Sequence, residues 1–563
     1  MLEATPSPTS AGIPGEEQPR RWLAPRSVRW GLSLGSVVVL LVVLAQWARS
    51  LSSYAHSIAG RYDFSTYYAA AFALRHNPHA DIYSQAVLTQ AGAAGQVMVQ
   101  PPLAYTYPPI FALLLSPFTL LSFRVLSKLW LFGNAALWLG ITVVLAREIG
   151  VLLRPVLALP RASMAAGGPA DESASAGRAV RGGPADESAP TGVPPPSPPA
   201  RAGFMSLPAR ALGVTPGTGV RGLLDGPLML VALALAAWLS LTFVPAAQTL
   251  LTGQINFLVL VPLALVPLLL RGGHERWAGA AIAVAAMLKF TPAVLIVYLL
   301  LRRRWEAAAT AVVVLTGLFV LSALAVGPGV TAASIGQALH VGTGDAGLGH
   351  NQALFAPLLL FVSLHAPGQL DIATLISRAA LGLLALGLGV VIWRLPVVGA
   401  RHAPLRMDAG VARPSFTTGD AAAYGLALCG LLLLSPTAWV HHYVWVLPAA
   451  ALALGLAVAG VARALGTRQL AGAIVLLALV VLACASLGVS LPYDWDTNPQ
   501  PAITHAGLLT WPLALLLRPV ATLVLACLLA LLARRPDGGR GGRPVAAPVD
   551  GPGVAPHEAF PAP

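Results

Sequence analysis

Residues 31–47 read GLSLGSVVVLLVVLAQW and contain no charged side chain. Residues 227–247, 255–270 and 470–491 are equally free of charge, and each stretch approaches the roughly 20 residues that a helix needs to cross a bilayer. The chain of 563 residues is 56% hydrophobic and 10% charged, with a mean hydropathy of +0.73. These values exclude an ordinary soluble domain and predict an all-α polytopic membrane protein with roughly 11–13 transmembrane helices.

Other classes of protein fit this sequence poorly. A transmembrane β-barrel would show short segments of alternating hydrophobicity. A cleaved signal peptide is disfavoured because the first span begins after about thirty residues and lacks a small-residue cleavage site. The formal net charge of +13 fits loops that face anionic membrane lipids, and no basic stripe indicates nucleic acid as a partner. The three cysteines lie in apolar runs, without the spacing of a disulfide framework or a metal site.

Composition divides the chain into three regions. Residues 1–28 are rich in Pro and Ser and end in arginines, which predicts a disordered cytoplasmic N-terminus. Residues 29–533 form one polytopic membrane domain, whose loop 51–108 is then extracytoplasmic. Within it, residues 160–225 contain a repeated GGPADESA and the run VPPPSPP, so we expect a disordered insertion. Residues 534–563 are Gly/Pro-rich and basic, which predicts a disordered C-terminal tail.

Hydropathy alone does not fix the topology of three segments. Helical periodicity in loop 51–108, with aromatic residues that can share one face, predicts amphipathic helices that lie on the membrane surface. If the arginine-rich segments face the cytoplasm, parity requires that residues 352–366 do not cross the membrane. Residues 109–146 are compatible with two spans, or with one span and a surface hairpin.

Asp63 lies just beyond the first apolar span, next to Arg61 and Tyr62. One interpretation is an N-cap of a helix that begins at Phe64, because Asp is a favoured N-cap residue. The functional alternative is a general base that takes a proton from a sugar hydroxyl. In that case Arg61 is a candidate counter-charge for a lipid phosphate.

Lys289 interrupts the apolar run AGAAIAVAAMLKFTPAVLIVYLLL. It could be a lysine at a helix end that snorkels to the interface, because Pro292 can divide this run into two short helices. An ionisable group at membrane depth is also a functional hypothesis, and an anionic phosphate is its natural partner.

His441 and His442 are adjacent, between Trp439 and a further Tyr-Val-Trp. Neighbouring residues on a helix point about a quarter turn apart, so both rings are poorly placed for one metal ion. They could belong to an interfacial aromatic belt. Alternatively, one of them hydrogen-bonds a substrate or Asp63.

Polar and aromatic residues elsewhere are candidates for binding sugar or acceptor hydroxyls, which need paired donors and acceptors. Carboxamide pairs could equally form hydrogen bonds that join neighbouring helices. The candidates are Tyr67, Tyr107, Gln254, Asn256, Asn351, Gln352 and Trp439. No P-loop or Gly-rich dinucleotide turn occurs in the chain, and we expect neither a cofactor nor a metal site.

In order along the chain, these motifs resemble glycosyltransferase family 87, whose members have a GT-C fold. The resemblance extends over about residues 51–445, and 160–225 departs from it as an insertion. It is carried by Asp63-Phe-Ser-Thr-Tyr-Tyr-Ala-Ala, Asn77-Pro-His-Ala-Asp-Ile-Tyr83, Tyr107-Pro-Pro-Ile-Phe-Ala-Leu-Leu-Leu-Ser-Pro117, Gly253-Gln-Ile-Asn256, Lys289-Phe-Thr-Pro292 with Arg302-Arg-Arg-Trp305, His350-Asn-Gln352 and Ser435-Pro-Thr-Ala-Trp-Val-His-His442.

The resemblance implies a mannosyltransferase of the plasma membrane. Its donor would be a polyprenyl-phosphate sugar, usually mannose, and its acceptor a glycolipid such as a phosphatidylinositol mannoside or a lipoglycan. The reaction would be inverting and would take place on the extracytoplasmic face. Asp63 would be the catalytic carboxylate, with His441 or His442 as a second base or an acceptor-orienting group. To this the residues themselves add Lys289, and Arg61, as counter-charges to the departing phosphate.

Two other functions remain open at this point. A lipid-linked sugar flippase would also be polytopic, although it would be expected to show inverted internal repeats, and none is found. A GT-C-like ligase or polymerase that moves whole lipid-linked glycans is the second. The sequence does not identify the acceptor or the linkage formed.

Overall fold

The computed structural model describes residues 26–56, 62–97, 105–157, 227–344, 351–395, 416–465, 467–491 and 510–534. Throughout these ranges the regular secondary structure is helical and contains no strand. The prediction of an all-α polytopic membrane protein is therefore confirmed. Arg61, the insertion 160–225 and most of both termini lie outside the described residues.

Eighteen α-helices follow one another along the described ranges. Those of the first half are α1 Arg26–His56, α2 Tyr62–His76, α3 Gln85–Ala94, α4 Pro109–Leu115, α5 Phe123–Leu157, α6 Pro227–Leu241, α7 Val244–Thr252, α8 Asn256–Arg271 and α9 Glu275–Leu288. Those of the second half are α10 Leu295–Leu301, α11 Trp305–Val326, α12 Pro328–Gly344, α13 Ala356–His365, α14 Leu370–Arg394, α15 Thr418–Leu433, α16 Leu447–Ala464, α17 Leu470–Gly488 and α18 Thr510–Arg534. Short 3₁₀ turns occupy Ser116–Leu120, Thr291–Val294, Pro367–Gln369 and Val440–Val446.

Seven helices in the described ranges are long and apolar enough to cross a membrane, and an eighth span arises if α6 and α7, bent by 56°, are taken together. Other apolar helices, including α8 and α15, are shorter and contribute many buried residues to the main core. The predicted total of roughly 11–13 spans depends on these shorter helices.

The structure shows the conformation of residues 109–146 and 352–366, whose topology the sequence alone did not decide. Residues 109–120 form only α4 and a 3₁₀ turn, whereas α5 is a single helix of 35 residues. Residues 109–146 therefore contain one long helix, preceded by a short and partly buried helical segment instead of a second span; a surface position of that segment stays a prediction. Helix α13 has 10 residues and is too short to cross a bilayer, in agreement with the expectation for 352–366.

Helix α2 differs from the expected surface helix. Every side chain from Phe64 to Ala71 is buried, so this stretch has no face that is exposed to water or lipid. Its aromatic residues point in several directions and pack with α3, α4 and Val97 into a cluster of their own. A continuous run of apolar and small residues therefore produces a buried helix instead of an amphipathic one.

Small residues allow α9 to pack closely against α11. A Cβ atom at Gly279 would overlap the backbone carbonyl of Ala307. Ala278 and Ala283 of α9 and Ala311 of α11 are fully buried. Because this contact fixes the axis of α9, it also fixes Lys289, the residue that immediately follows the helix.

Buried ion pairs join the helices at one end of the bundle, which we call the ion-pair end. Arg302 contacts Asp420 at 2.6 Å, and Arg304 contacts both Glu275 at 2.6 Å and Asp420 at 3.2 Å. Asp420 also closes a capping box with Thr417 at the start of α15. A further pair joins Arg271 to Glu148. Most of these charges are almost fully buried, so each requires its partner.

Candidate active site

Asp63 lies in the first turn of α2, which begins at Tyr62, so it is not the N-cap of a helix that begins at Phe64. Its side chain is partly exposed. Desolvation by burial raises the pKa of Asp63 to about 6, while a hydrogen bond from the Gln254 side chain and the charge of Lys289 lower it. A carboxyl group with this pKa is mostly ionised at neutral pH and remains basic enough to accept a proton.

Two tyrosines orient the amide of Gln254 toward Asp63. The Tyr107 hydroxyl donates to Oε1 of Gln254 at 2.7 Å. The Tyr67 hydroxyl lies 3.0 Å from the same oxygen and 2.8 Å from the Tyr107 hydroxyl. Because Oε1 accepts from the phenols, Nε2 is the group of Gln254 that can donate to the Asp63 carboxylate. The four side chains therefore form one network.

The turn between α7 and α8 delivers Gln254 and Asn256 to this network. Gly253 adopts φ +73°, a left-handed conformation that favours glycine, and ends α7. Its carbonyl oxygen accepts a hydrogen bond from Nε1 of Trp130 at 2.8 Å. Helix α8 then begins at Asn256, whose Nδ2 donates to the backbone oxygen of His441 at 3.0 Å.

Lys289 occupies the break between α9 and the following 3₁₀ turn, with extended backbone angles of φ −154° and ψ 128°. Its Nζ lies 2.8 Å from Nε2 of His442 and 3.4 Å from Oδ1 of Asn256. The same atom lies 5.5 Å from the ring centre of Tyr107 and 4.9 Å from that of Trp445. These contacts direct the side chain into the protein, which contradicts the snorkelling alternative.

The two adjacent histidines have different surroundings. The His442 ring stacks on Trp445 at 5.3 Å with an interplanar angle of 11°, and its Nδ1 accepts from the backbone N–H of Trp439 at 3.3 Å. His441 contributes its backbone oxygen to Asn256, and its ring meets that of His442 edge-on. The structure thus joins the His442 side chain to Lys289.

Asn351 and Gln352 form hydrogen bonds within the protein. Oδ1 of Asn351 accepts from the backbone N–H of Ala438 at 2.9 Å, and its Nδ2 donates to the Pro436 oxygen at 3.2 Å. Oε1 of Gln352 accepts from the buried Arg518 at 2.8 Å. These contacts hold the segment 351–353 against 436–438, next to the histidines, and sugar binding by the two carboxamides stays a prediction.

The remaining predicted residues can be placed as follows. Trp439 is half-buried and supplies its backbone N–H to His442. Tyr67, Tyr107, Gln254, Asn256, Lys289 and His442 are brought together around Asp63. Arg61 lies outside the described residues. Across the described ranges, no group of three or more His, Cys, Asp or Glu side chains is arranged for a metal ion.

The segment 77–83 supports the site from outside it. The side chains of Asn77 and Asp81 accept from backbone N–H groups two residues ahead, at 3.0 and 3.1 Å. These turns place Tyr83, whose hydroxyl donates to the backbone oxygen of Tyr107 at 2.8 Å. This motif therefore positions Tyr107.

Sequence reasoning missed three supporting residues. Trp130 holds the Gly253 turn, Trp445 underlies His442, and Arg518 donates to Gln352 and to two backbone oxygens of the segment 487–489. A lone arginine in the apolar sequence LLLRPVATLVL was a usable signal for Arg518. The sequence offered no comparable signal for Trp130 and Trp445, because no sequence pattern links them to the residues that they support.

The profile of glycosyltransferase family 87 matches residues 105–173 and 188–412, more than half of the chain. The chain belongs to glycosyltransferase family 87. This confirms the resemblance and makes the protein a membrane glycosyltransferase. The family 87 match includes Tyr107, Gln254, Asn256 and Lys289, and its internal interruption falls within the predicted insertion. Asp63 and the histidines lie outside it. No curated protein and no solved structure matches the chain.

Proposed function

We propose that this protein transfers a hexose, with mannose as the expected sugar, from a polyprenyl-phosphate donor to a glycolipid acceptor. The main supporting observation is that Asp63 interacts electrostatically with Lys289, and that Gln254 and Tyr107 lie next to both residues. A proton acceptor and a potential phosphate partner are thus available within one site. Members of the family require both a sugar donor and an acceptor, and this pair can serve one reaction between them.

The proposed reaction is a single inverting displacement. The acceptor hydroxyl attacks the anomeric carbon, the bond from that carbon to the phosphate oxygen breaks, and polyprenyl phosphate departs. Asp63 takes the proton of the attacking hydroxyl. A β-linked donor thereby gives an α-mannoside. A phosphate leaving group needs no general acid, so one carboxylate suffices where glycoside hydrolases use two.

Positive charge supports the departure of the phosphate. Lys289 is enclosed by the aromatic rings of Tyr107 and Trp445, and a charge in such surroundings acts more strongly than it would in water. Arg61 is proposed as a second counter-charge. The hydroxyls of Tyr67 and Tyr107, which lie near Asp63, are proposed to contact the sugar or the acceptor. Asn256, which contacts Lys289 at 3.4 Å, is proposed to do the same.

The extracytoplasmic location is part of the proposal. Helix α8 begins near the site at Asn256 and ends at Arg271, and α9 returns from Glu275 to Lys289. The active site and the ion-pair end therefore lie at opposite ends of both helices. The arginines of the ion-pair end fit the cytoplasmic excess of positive charge, which supports the proposal that the active site is on the extracytoplasmic face of the plasma membrane.

Purified protein incubated with labelled polyprenyl-phosphate mannose and a panel of acceptor lipids tests the function. We expect one hexose to be added to a glycolipid, with an α-linkage in the product. Translocation of the donor without transfer would instead identify a flippase. Addition of a preassembled glycan, or of many hexoses, would identify a ligase or polymerase.

A further inference from the structure

Arg378 occupies an unusual position on α14. This helix belongs to a candidate membrane span, Pro367–Arg394, of which only 11% is buried within the protein. Its exposed apolar side chains include Ile372, Leu375, Ile376, Leu383 and Leu386. Arg378 is exposed among them, eight residues after the helix begins, and forms no hydrogen bond or ion pair with another described residue.

A charged guanidinium at this depth favours an anionic partner. Eight residues of α-helix correspond to about 12 Å along the axis, so Arg378 lies well inside the apolar span. An arginine there must reach the interface or pair with an anion, because hydrocarbon solvates its charge poorly. Phosphate is the anion that a membrane offers, and the guanidinium fork binds it in a bidentate manner.

The side chain of Arg378 lines a cleft that suits an amphiphilic ligand. Thr374 and Ser435 supply hydroxyl groups to the wall, while Phe355 and Leu359 supply an apolar surface. The enclosed volume of the cleft is about 40 Å³, so the cleft can hold a lipid phosphate while the acyl chain lies along its apolar rim. The cleft therefore has the chemistry of a phospholipid site.

One wall of the cleft belongs to the same chain segment as the active-site histidines. Ser435 and Pro436 form part of it, and Pro436 is held by Asn351 at 3.2 Å. The same segment continues within six residues to His442, the partner of Lys289. A lipid in the cleft would thus lie beside the segment that carries the histidines, without occupying the position of Asp63.

We propose that this cleft binds the phosphodiester of the acceptor glycolipid through Arg378, and the start of its acyl chain through Phe355 and Leu359. The inference rests on the proposed function. In the donor, the phosphate is bonded to the transferred sugar and must lie at the reacting carbon. In a phosphatidylinositol mannoside, sugar rings separate the phosphate from the accepting hydroxyl. A phosphate site away from Asp63 and Lys289 therefore fits the acceptor.

The test compares R378Q with R394Q, a matched control in the last turn of the same helix, where Arg394 is also exposed. Each variant receives two acceptors, a mannosylated phosphatidylinositol and a phosphate-free mannosyl diacylglycerol. For R378Q we expect the KM of the phosphate-containing acceptor to rise by at least about tenfold, the typical effect of losing a charge-assisted hydrogen bond. The donor KM and the kinetics with the phosphate-free acceptor should stay at the wild-type values, as should all values for R394Q.

A rise in the donor KM, an equal loss with both acceptors, or no change at all would overturn the proposal. Lipid binding provides a readout that needs no turnover. Purified wild-type protein and R394Q should bind fluorescent phosphatidylinositol more tightly than fluorescent diacylglycerol, and R378Q should lose this preference. If no hexose transfer is observed with any acceptor, the proposed function fails, but the binding comparison still decides whether Arg378 recognises a lipid phosphate.

Discussion

The Nζ atom of Lys289 lies 2.8 Å from Nε2 of His442. Nδ1 of the same ring lies 3.3 Å from the backbone nitrogen of Trp439, and Trp445 stacks against the ring face. These contacts hold the His442 ring in place next to the Lys289 amine. Asn256 contacts the same amine at 3.4 Å, so His442 and Asn256 together position Lys289.

Replacement of His442 should therefore cost more than replacement of His441. For His442→Ala we expect a rise of about 10–100-fold in donor KM, because Lys289 loses a partner that fixes its position. His441→Ala should change donor KM by less than about threefold, since its backbone oxygen, which accepts from Asn256, remains. Steady-state kinetics with labelled donor distinguish the two. Equal effects would contradict the separate roles.

Asp63→Asn should abolish transfer while donor binding persists. Asn has nearly the same shape and cannot accept the proton of the acceptor hydroxyl. General-base catalysis contributes ~10²–10⁴-fold, so turnover should fall by at least that amount. Donor affinity should stay the same or increase, because the carboxylate repels a phosphate. Turnover and donor binding are measured separately, and substantial turnover in the Asn variant would move the base to a histidine.

The pH profile should report the pKa of Asp63. Burial raises this pKa to about 6, so the carboxylate that accepts the proton is lost as pH falls through 6. We expect kcat/KM to fall tenfold per pH unit below about pH 5, where Asp63 is protonated. Initial rates between pH 4.5 and 8, at sub-saturating substrate, provide the measurement. An acid limb near pH 4 would show that burial does not raise the pKa of the working base.

Asp420→Ala should destabilise the fold strongly, because it leaves the guanidinium groups of Arg302 and Arg304 without a shared carboxylate. Breaking a buried pair costs about 3–5 kcal/mol of unfolding free energy. The matched control is Arg276→Ala, which removes an exposed pair with Glu306 and should cost less than about 1 kcal/mol. Unfolding curves in detergent compare the two variants, and similar midpoints would be inconsistent with this difference.

Labelling from outside the cell tests the proposed sidedness. Ser122 is exposed between α4 and α5 at the end of the bundle that carries the site, and Arg303 is exposed beside the ion pairs. In a Cys527→Ser background, Ser122→Cys should react with a membrane-impermeant thiol reagent, whereas Arg303→Cys should react only after lysis. Cys429 and Cys484 are buried and should give little background. The reverse labelling pattern would place the site in the cytoplasm.

Much of the fold and part of the site follow from the sequence. Long uncharged runs predict spanning helices, and ionisable residues such as Asp63 and Lys289 are visible because apolar surroundings make them rare. Their electrostatic interaction is not visible in the sequence, since it depends on tertiary packing that includes the contact of α2 with α7. The partners of Asn351 and Gln352 were also unpredictable, because Arg518 and Ala438 are far away in the chain and no periodic pattern links them.

The separation of the ion-pair end from the active site has a practical consequence. About 24 Å of α8 lies between Asn256 and Arg271, so residues that hold the helices together with buried charge are not those that meet the substrates. Evolution can therefore retarget the enzyme to other sugars or lipids by changing one end of the bundle, while selection for assembly acts on the other. For the same reason, the residues around Asp63 are the positions to change in a redesign of substrate specificity.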